Sequence, residues 1–276
     1  MFLFSTYFLS LLSASFGTTI LYVITPQGIV MSADSKQVDS TTGASSQSIK
    51  LVLLQDRIAV ATAWLTRIAD VRVEDRATGR IHAFDYEFET WIRAIEQRLP
   101  TNITVTRFAE IIENESAQTF RDFNILVQAG QLRKDESRGD NLVRYYIAGY
   151  EDRIPHVYQI EFKIDWERQS VIGPVRTLLH PKDGQDITFG FNAGGVHTAI
   201  DQILKREDEA YEKAIQLVPN ELGKLLTRQD FTLAEAVQLS RSFIKIEAEA
   251  NPDKVGLPIR IVTLPWNGIG ELAIYE

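Results

Sequence analysis

The sequence predicts an α+β protein in four layers, an αββα sandwich of two stacked antiparallel sheets with helices outside them. Three observations predict it. Alternating apolar stretches rich in Val, Ile, Tyr and Thr stand at the start, middle and end of the chain. Apolar spacings of three and four fill the two intervals between them. Strands and helices therefore arrive in blocks, without the regular alternation that builds a doubly wound parallel sheet. No internal repeat, Gly/Ser linker or break in composition marks a boundary, so residues 18–276 read as one domain.

The elements follow in order. TTILYVITPQGIVMSADS, residues 18–35, sets apolar runs on either side of TPQG, where Pro and Gly suit a tight reversal. IKLVLLQDRIAVATAW, residues 49–64, repeats the arrangement around QDR, so the chain opens with four strands. Phe84, Phe88, Trp91, Ile92, Ile95 and Leu99 recur at helical spacing. After Pro100 the signal returns at Phe108, Ile111, Ile112 and Phe120, which predicts two adjacent helices. FNILVQAG, VRYYIAGY and HVYQIEF read as strands, with QLRKDESRGD a hairpin loop between the first two. NAGGVHTAIDQILKRE passes from glycines into a helix. A second helix is predicted in DFTLAEAVQLSRSFIKIEAEA, where Thr232 and Glu235 have capping-box spacing. PIRIVTLPWNGIGELAIYE closes the chain as a strand, an Asn-Gly turn and a last strand.

Composition narrows the chemistry. The 276 residues are 45% hydrophobic and 24% charged, enough to bury a large core. The formal net charge is −8 with both signs interspersed, so no basic stripe is available for a phosphate backbone and nucleic acid is not an expected partner. The absence of cysteine removes disulfides, thiolate nucleophiles and sulfur-ligated metals. His82, His156, His180 and His197 are scattered outside any metal-ligand spacing, so neither a metal nor another cofactor is expected.

Residues 1–17, MFLFSTYFLSLLSASFG, carry no charge and end in small residues. The run is shorter than the ~20 residues that span a bilayer and closer to the apolar part of a signal peptide. It lacks the opening Lys or Arg of such signals, so secretory signal and propeptide both stand as readings of this removable leader. A signal would make the protein secreted or periplasmic; a propeptide would leave it cytoplasmic. In both cases no transmembrane anchor is expected after the leader is removed.

Cleavage after Gly17 would make Thr18 the first residue. A threonine hydroxyl needs a base, and a free α-amino group with a pKa of ~8 on the same residue can serve. Such a nucleophile also needs a cation to depress its pKa values and a carboxylate to hold that cation. Asp34 and Lys50 stand sixteen and thirty-two residues after Thr18, at strand ends that hairpins can bring together. Taken singly, Thr18 also fits a strand start, Asp34 a turn and Lys50 a solvated edge charge.

GTTILYVITPQGIVMSADSKQ and SIKLVLLQDRIAVATA together resemble a β-type subunit of the 20S proteasome and its bacterial relatives, within the N-terminal nucleophile hydrolase superfamily. The close resemblance covers residues 17 to 63, with Gly28 at the hairpin glycine; YYIAGY, HVYQIEF and VGLPIRIVTL match in style. It implies Thr18 as nucleophile and, through its amine, as base, with Lys50 lowering the pKa values and Asp34 pairing with Lys50. It also implies a peptide or amide substrate and a homo-oligomeric ring.

The sequence departs from the family at three places. Trp64 falls where a glycine N–H commonly meets the oxyanion, so its indole either crowds the cleft or joins the core. GFNAGGV offers Asn192 where a serine is expected, and in NPDKVGLP Asp253 is the candidate for the supporting aspartate. Three further readings stay open: a catalytically inactive shell or scaffold protein of the same fold, a small-molecule amidase or acylase, and an exported ligand-binding domain.

Overall fold

A computed structural model describes residues 18–38, 45–75, 78–132, 134, 139–182 and 186–276. The leader expected at residues 1–17 and most of the QLRKDESRGD stretch lie outside these. The strands are β1 (Thr19–Thr25), β2 (Gly28–Asp34), β3 (Lys36–Val38), β4 (Ser45–Gln47), β5 (Leu51–Leu54), β6 (Ile58–Trp64) and β7 (Arg67–Glu74). They continue as β8 (Ile81–Glu87), β9 (Asn141–Glu151), β10 (Ile154–Asp165), β11 (Ser170–His180), β12 (Gly190–Gly195), β13 (Ile259–Pro265) and β14 (Glu271–Tyr275). The first helical block is α1 (Phe88–Glu96), α2 (Val105–Thr119) and α3 (Phe123–Gln128). The second is α4 (Thr198–Lys205), α5 (Asp208–Leu217), α6 (Pro219–Thr227) and α7 (Leu233–Ala250).

Two five-stranded antiparallel sheets form the centre, one in the order β12-β1-β2-β13-β14 and the other β11-β10-β9-β6-β5. They face one another through β6, which meets β1, β2, β12 and β13 of the first sheet. The period-two pattern of β6 explains the contact. Ala59, Ala61 and Ala63 belong to the core shared with the first sheet, while Ile58 and Val60 belong to the core on the other face. β9 alternates in the same way, with Tyr146 and Ala148 inward and Tyr145 and Ile147 outward.

Helices cover the outer faces. α7 lies on β1, β2 and β13, with α4, α5 and α6 against it. α2 lies on β9, β10 and β11, and α3 on β11. Aromatic rings fill that second outer face: Phe120 meets Phe123 at 4.6 Å and Phe162 at 5.0 Å, and the Tyr86 and Tyr145 hydroxyls are 2.7 Å apart. These layers are compatible with the expected α+β sandwich. No helix among the described residues is long and apolar enough to cross a membrane.

Several local expectations are corrected. FNILVQ is helix α3, because Phe123, Leu126 and Val127 bury one helical face, a spacing that a short apolar run shares with a strand. Phe84 belongs to strand β8, which pairs with β7; the helix begins only at Phe88. The glycines of NAGG end strand β12, and the helix expected after them is α4. Strand β11, which no sequence pattern predicts, contains Gly173-Pro174, tolerated because β11 is a sheet edge. Helices α5 and α6 were likewise hidden in a charged stretch.

Candidate active site

The β1–β2 hairpin sets the geometry. Thr25 Oγ1 accepts from the Gln27 and Gly28 amides, closing the turn, and the register pairs Ile20 with Ala33. Thr19 is thereby brought opposite Asp34, and its amide donates to Asp34 Oδ1 at 2.8 Å. Gly28 admits no side chain, since a Cβ there would lie 2.5 Å from the Leu264 carbonyl oxygen.

Lys50 arrives from the other sheet. Its carbonyl accepts from the Thr62 amide at 2.8 Å, extending the β5–β6 ladder by one residue. Its Nζ lies 3.1 Å from Asp34 Oδ2 and 3.3 Å from Oδ1, and also donates to the Lys36 carbonyl. Asp34 and Lys50 are both 0% exposed, so neither is the turn residue or solvated edge charge that each resembles in isolation. Oδ2 of Asp34 further accepts from the Lys36 amide at 3.0 Å and the Gly256 amide at 3.3 Å. Burial pushes the Asp34 carboxyl up and the Lys50 ammonium down, and their attraction opposes both displacements.

Thr18 is buried as well, and its carbonyl accepts from the Val196 amide at 2.7 Å. Thr19 Oγ1 donates to the Val196 carbonyl at 2.6 Å. This clasp depends on two glycines. Gly195 has φ +78°, and a Cβ on it would fall 1.7 Å from Thr18 O; a Cβ on Gly194 would fall 2.0 Å from the Tyr146 hydroxyl oxygen. The paired glycines of NAGGV are the sequence signal for this close approach.

The remaining candidates are placed differently. Trp64 ends β6 with φ +75°, a left-handed backbone that favours glycine, and its side chain is buried in the inter-sheet core. Leu65 N donates to Leu142 O and Thr62 N to Lys50 O, so strand alternation sets the Trp64 N–H on the same edge as that of Thr62, towards Lys50. Asn192 is paired with Tyr22 in the ladder and bonded to its side chain, three residues short of Gly195. Asp253 is exposed in the turn after α7, and among the described residues no hydrogen bond or ion pair joins it to Asp34 or Lys50. The nearby contact is made instead by the Gly256 amide, which composition could not single out. Among the described residues no group of three or more His, Cys, Asp or Glu is arranged to hold a metal.

No protein-family model matches the chain. The chain is similar to proteasome subunit alpha type-3 of Saccharomyces cerevisiae, 29% identical over 141 residues that cover 51% of this chain and 45% of that subunit. The match thus spans just under half the length of that relative. This likeness, with the antiparallel α+β layers, supports a proteasome-like fold of the N-terminal nucleophile hydrolase kind.

Proposed function

We propose that this chain is a proteasome-like threonine hydrolase of peptide or other amide bonds, with a four-layer N-terminal nucleophile hydrolase fold. The observation that carries the reading is the fully buried Asp34–Lys50 pair, tied through Asp34 to the amide that follows Thr18. Desolvating two charges is costly, and such a pair is worth having where it tunes a reacting group. Removal of residues 1–17 frees the Thr18 amine. The Thr18 hydroxyl then attacks the substrate carbonyl carbon while the amine takes its proton, and the Lys50 cation favours the less protonated forms. The Trp64 N–H is a candidate donor to the oxyanion. The amine returns the proton to the leaving nitrogen as the C–N bond breaks, and water, deprotonated by the same amine, releases the acyl group from the threonyl ester.

Shell or scaffold protein is the second reading, favoured by one comparison: the similar subunit is α-type, a class that is usually non-catalytic. The strained Trp64 in a glycine-like position and the exposed Asp253, which makes no described bond to the pair, lean the same way. Assembly into a homo-oligomeric ring belongs to both readings, and the exported location belongs to a leader acting as a signal.

Intact mass and N-terminal sequencing of the protein from its own host, beside Thr18→Ala, separate the two. The hydrolase reading expects a wild-type chain beginning at Thr18, amide cleavage by that species, and no cleavage by Thr18→Ala. A wild-type chain that keeps Gly17 leaves only the shell reading.

A further inference from the structure

A cavity of about 610 Å3 opens on the flank of the sandwich, where the free edge of β12 meets the end of β11 and helices α4 and α6. It is distinct from the Thr18 site. The β12 residues that line it, Gly190 to Asn192, pair with Ile24 to Tyr22, whereas Thr19 pairs with Gly195, about 10 Å further along the strand.

The lining is divided by chemistry. Leu204 of α4 and Leu225 of α6 give it apolar walls, and the buried Tyr22 hydroxyl is bonded to Asn192 behind them. Burial raises the Tyr22 pKa to about 12, so that hydroxyl keeps its proton. Lys182 and Arg228 also line the cavity, and neither side chain has an ion pair or hydrogen bond among the described residues.

Some cations elsewhere in this chain of net charge −8 are paired, Arg144 with Glu161, Arg176 with Glu113 and Lys224 with Glu235. The acid that lines this cavity, Asp186, has a carboxylate oxygen already bonded to the Thr188 amide and hydroxyl. His180, also in the lining, bonds the Ile187 carbonyl and is held neutral by burial. Among the described lining residues, two cations against one engaged carboxylate leave a positive charge beside Leu204 and Leu225, in a cavity within the size range of small-molecule sites.

We propose that this cavity binds a small amphiphilic anion, its carboxylate or phosphate head held between Lys182 and Arg228 and its apolar tail lying against Leu204 and Leu225. The site is independent of the hydrolase reading, since it uses no residue of the Thr18 centre. Calorimetric titration of the full chain with octanoate, octyl phosphate, octan-1-ol and acetate tests it, repeated on a Lys182→Gln/Arg228→Gln variant. Single-site binding of octanoate or octyl phosphate is expected, with the favoured probe identifying the head group. Octan-1-ol, acetate and the double variant should each lose about tenfold or more in affinity. Both substituted side chains are exposed, so the variant should keep the wild-type melting temperature. Failure of both amphiphilic anions to bind, octan-1-ol binding as tightly, or unchanged affinity in a folded variant would overturn the proposal.

Discussion

Asp34 and Lys50 are both removed from solvent, so each charge depends on the other for its stability. Lys50→Met leaves the carboxylate buried and unpaired, and should cost about 3–5 kcal/mol in denaturant unfolding. Asp34→Asn combined with Lys50→Met should cost clearly less than the two single changes added, and additive costs would show the pair to be uncoupled. Glycine gives a second residue-scale contrast. Gly195→Ala meets both the left-handed backbone and the Thr18 carbonyl, and should destabilise by about 2 kcal/mol or more. Gly223 in α6 has nothing within 4 Å of its would-be Cβ, so Gly223→Ala should stabilise by about 0.5–1 kcal/mol in the same assay.

His180 supplies the pH dependence. Burial lowers its pKa below the usual histidine value, with the bond to Ile187 and the Asp186 charge opposing and His156 reinforcing the shift. Below about pH 6.5 the unfolded chain therefore takes up a proton that the folded chain resists. Stability should fall as pH drops through that window, and His180→Gln should flatten the slope in unfolding measured between neutral and mildly acidic pH.

At the scale of elements, local chemistry and structure agree where a segment closes its own hydrogen bonds. The Thr232–Glu235 capping box is present in full, with the Thr232 hydroxyl accepting from the Glu235 amide and the Glu235 carboxylate accepting from the Thr232 amide. Thr232→Ala should therefore cost about 1 kcal/mol in urea unfolding; no loss would mean that α7 is held by packing alone. The hairpins at TPQG, QDR and WNGIG were equally legible, because turn residues and flanking alternation specify them locally. FNILVQ was not, since six apolar residues fit a strand or a helix until a neighbour selects one face. Strand β8 was masked by Phe84, whose spacing to Phe88 imitates a helix that begins one turn later.

Over the whole molecule, the stacking of the sheets rests on small side chains. Ala59, Ala61 and Ala63 let β6 approach the first sheet, and Ala61→Leu should cost about 1–3 kcal/mol by overpacking, read as a lowered unfolding midpoint. The same approach carries Lys50, on the second sheet, to Asp34, on the first. By itself the sequence determined the blocks of strand and helix, the hairpin lengths, and the intervals from Thr18 to Asp34 and Lys50, since periodicity and turn chemistry act over a few residues. Only the tertiary structure decided that both charges are buried, that Gly256 donates to Asp34 in place of any contact from Asp253, that Gly195 clasps Thr18, and that Trp64 turns its indole into the core. Those outcomes depend on the packing of segments far apart in the chain, where burial and partner choice are properties of the assembled sheets and not of any local pattern.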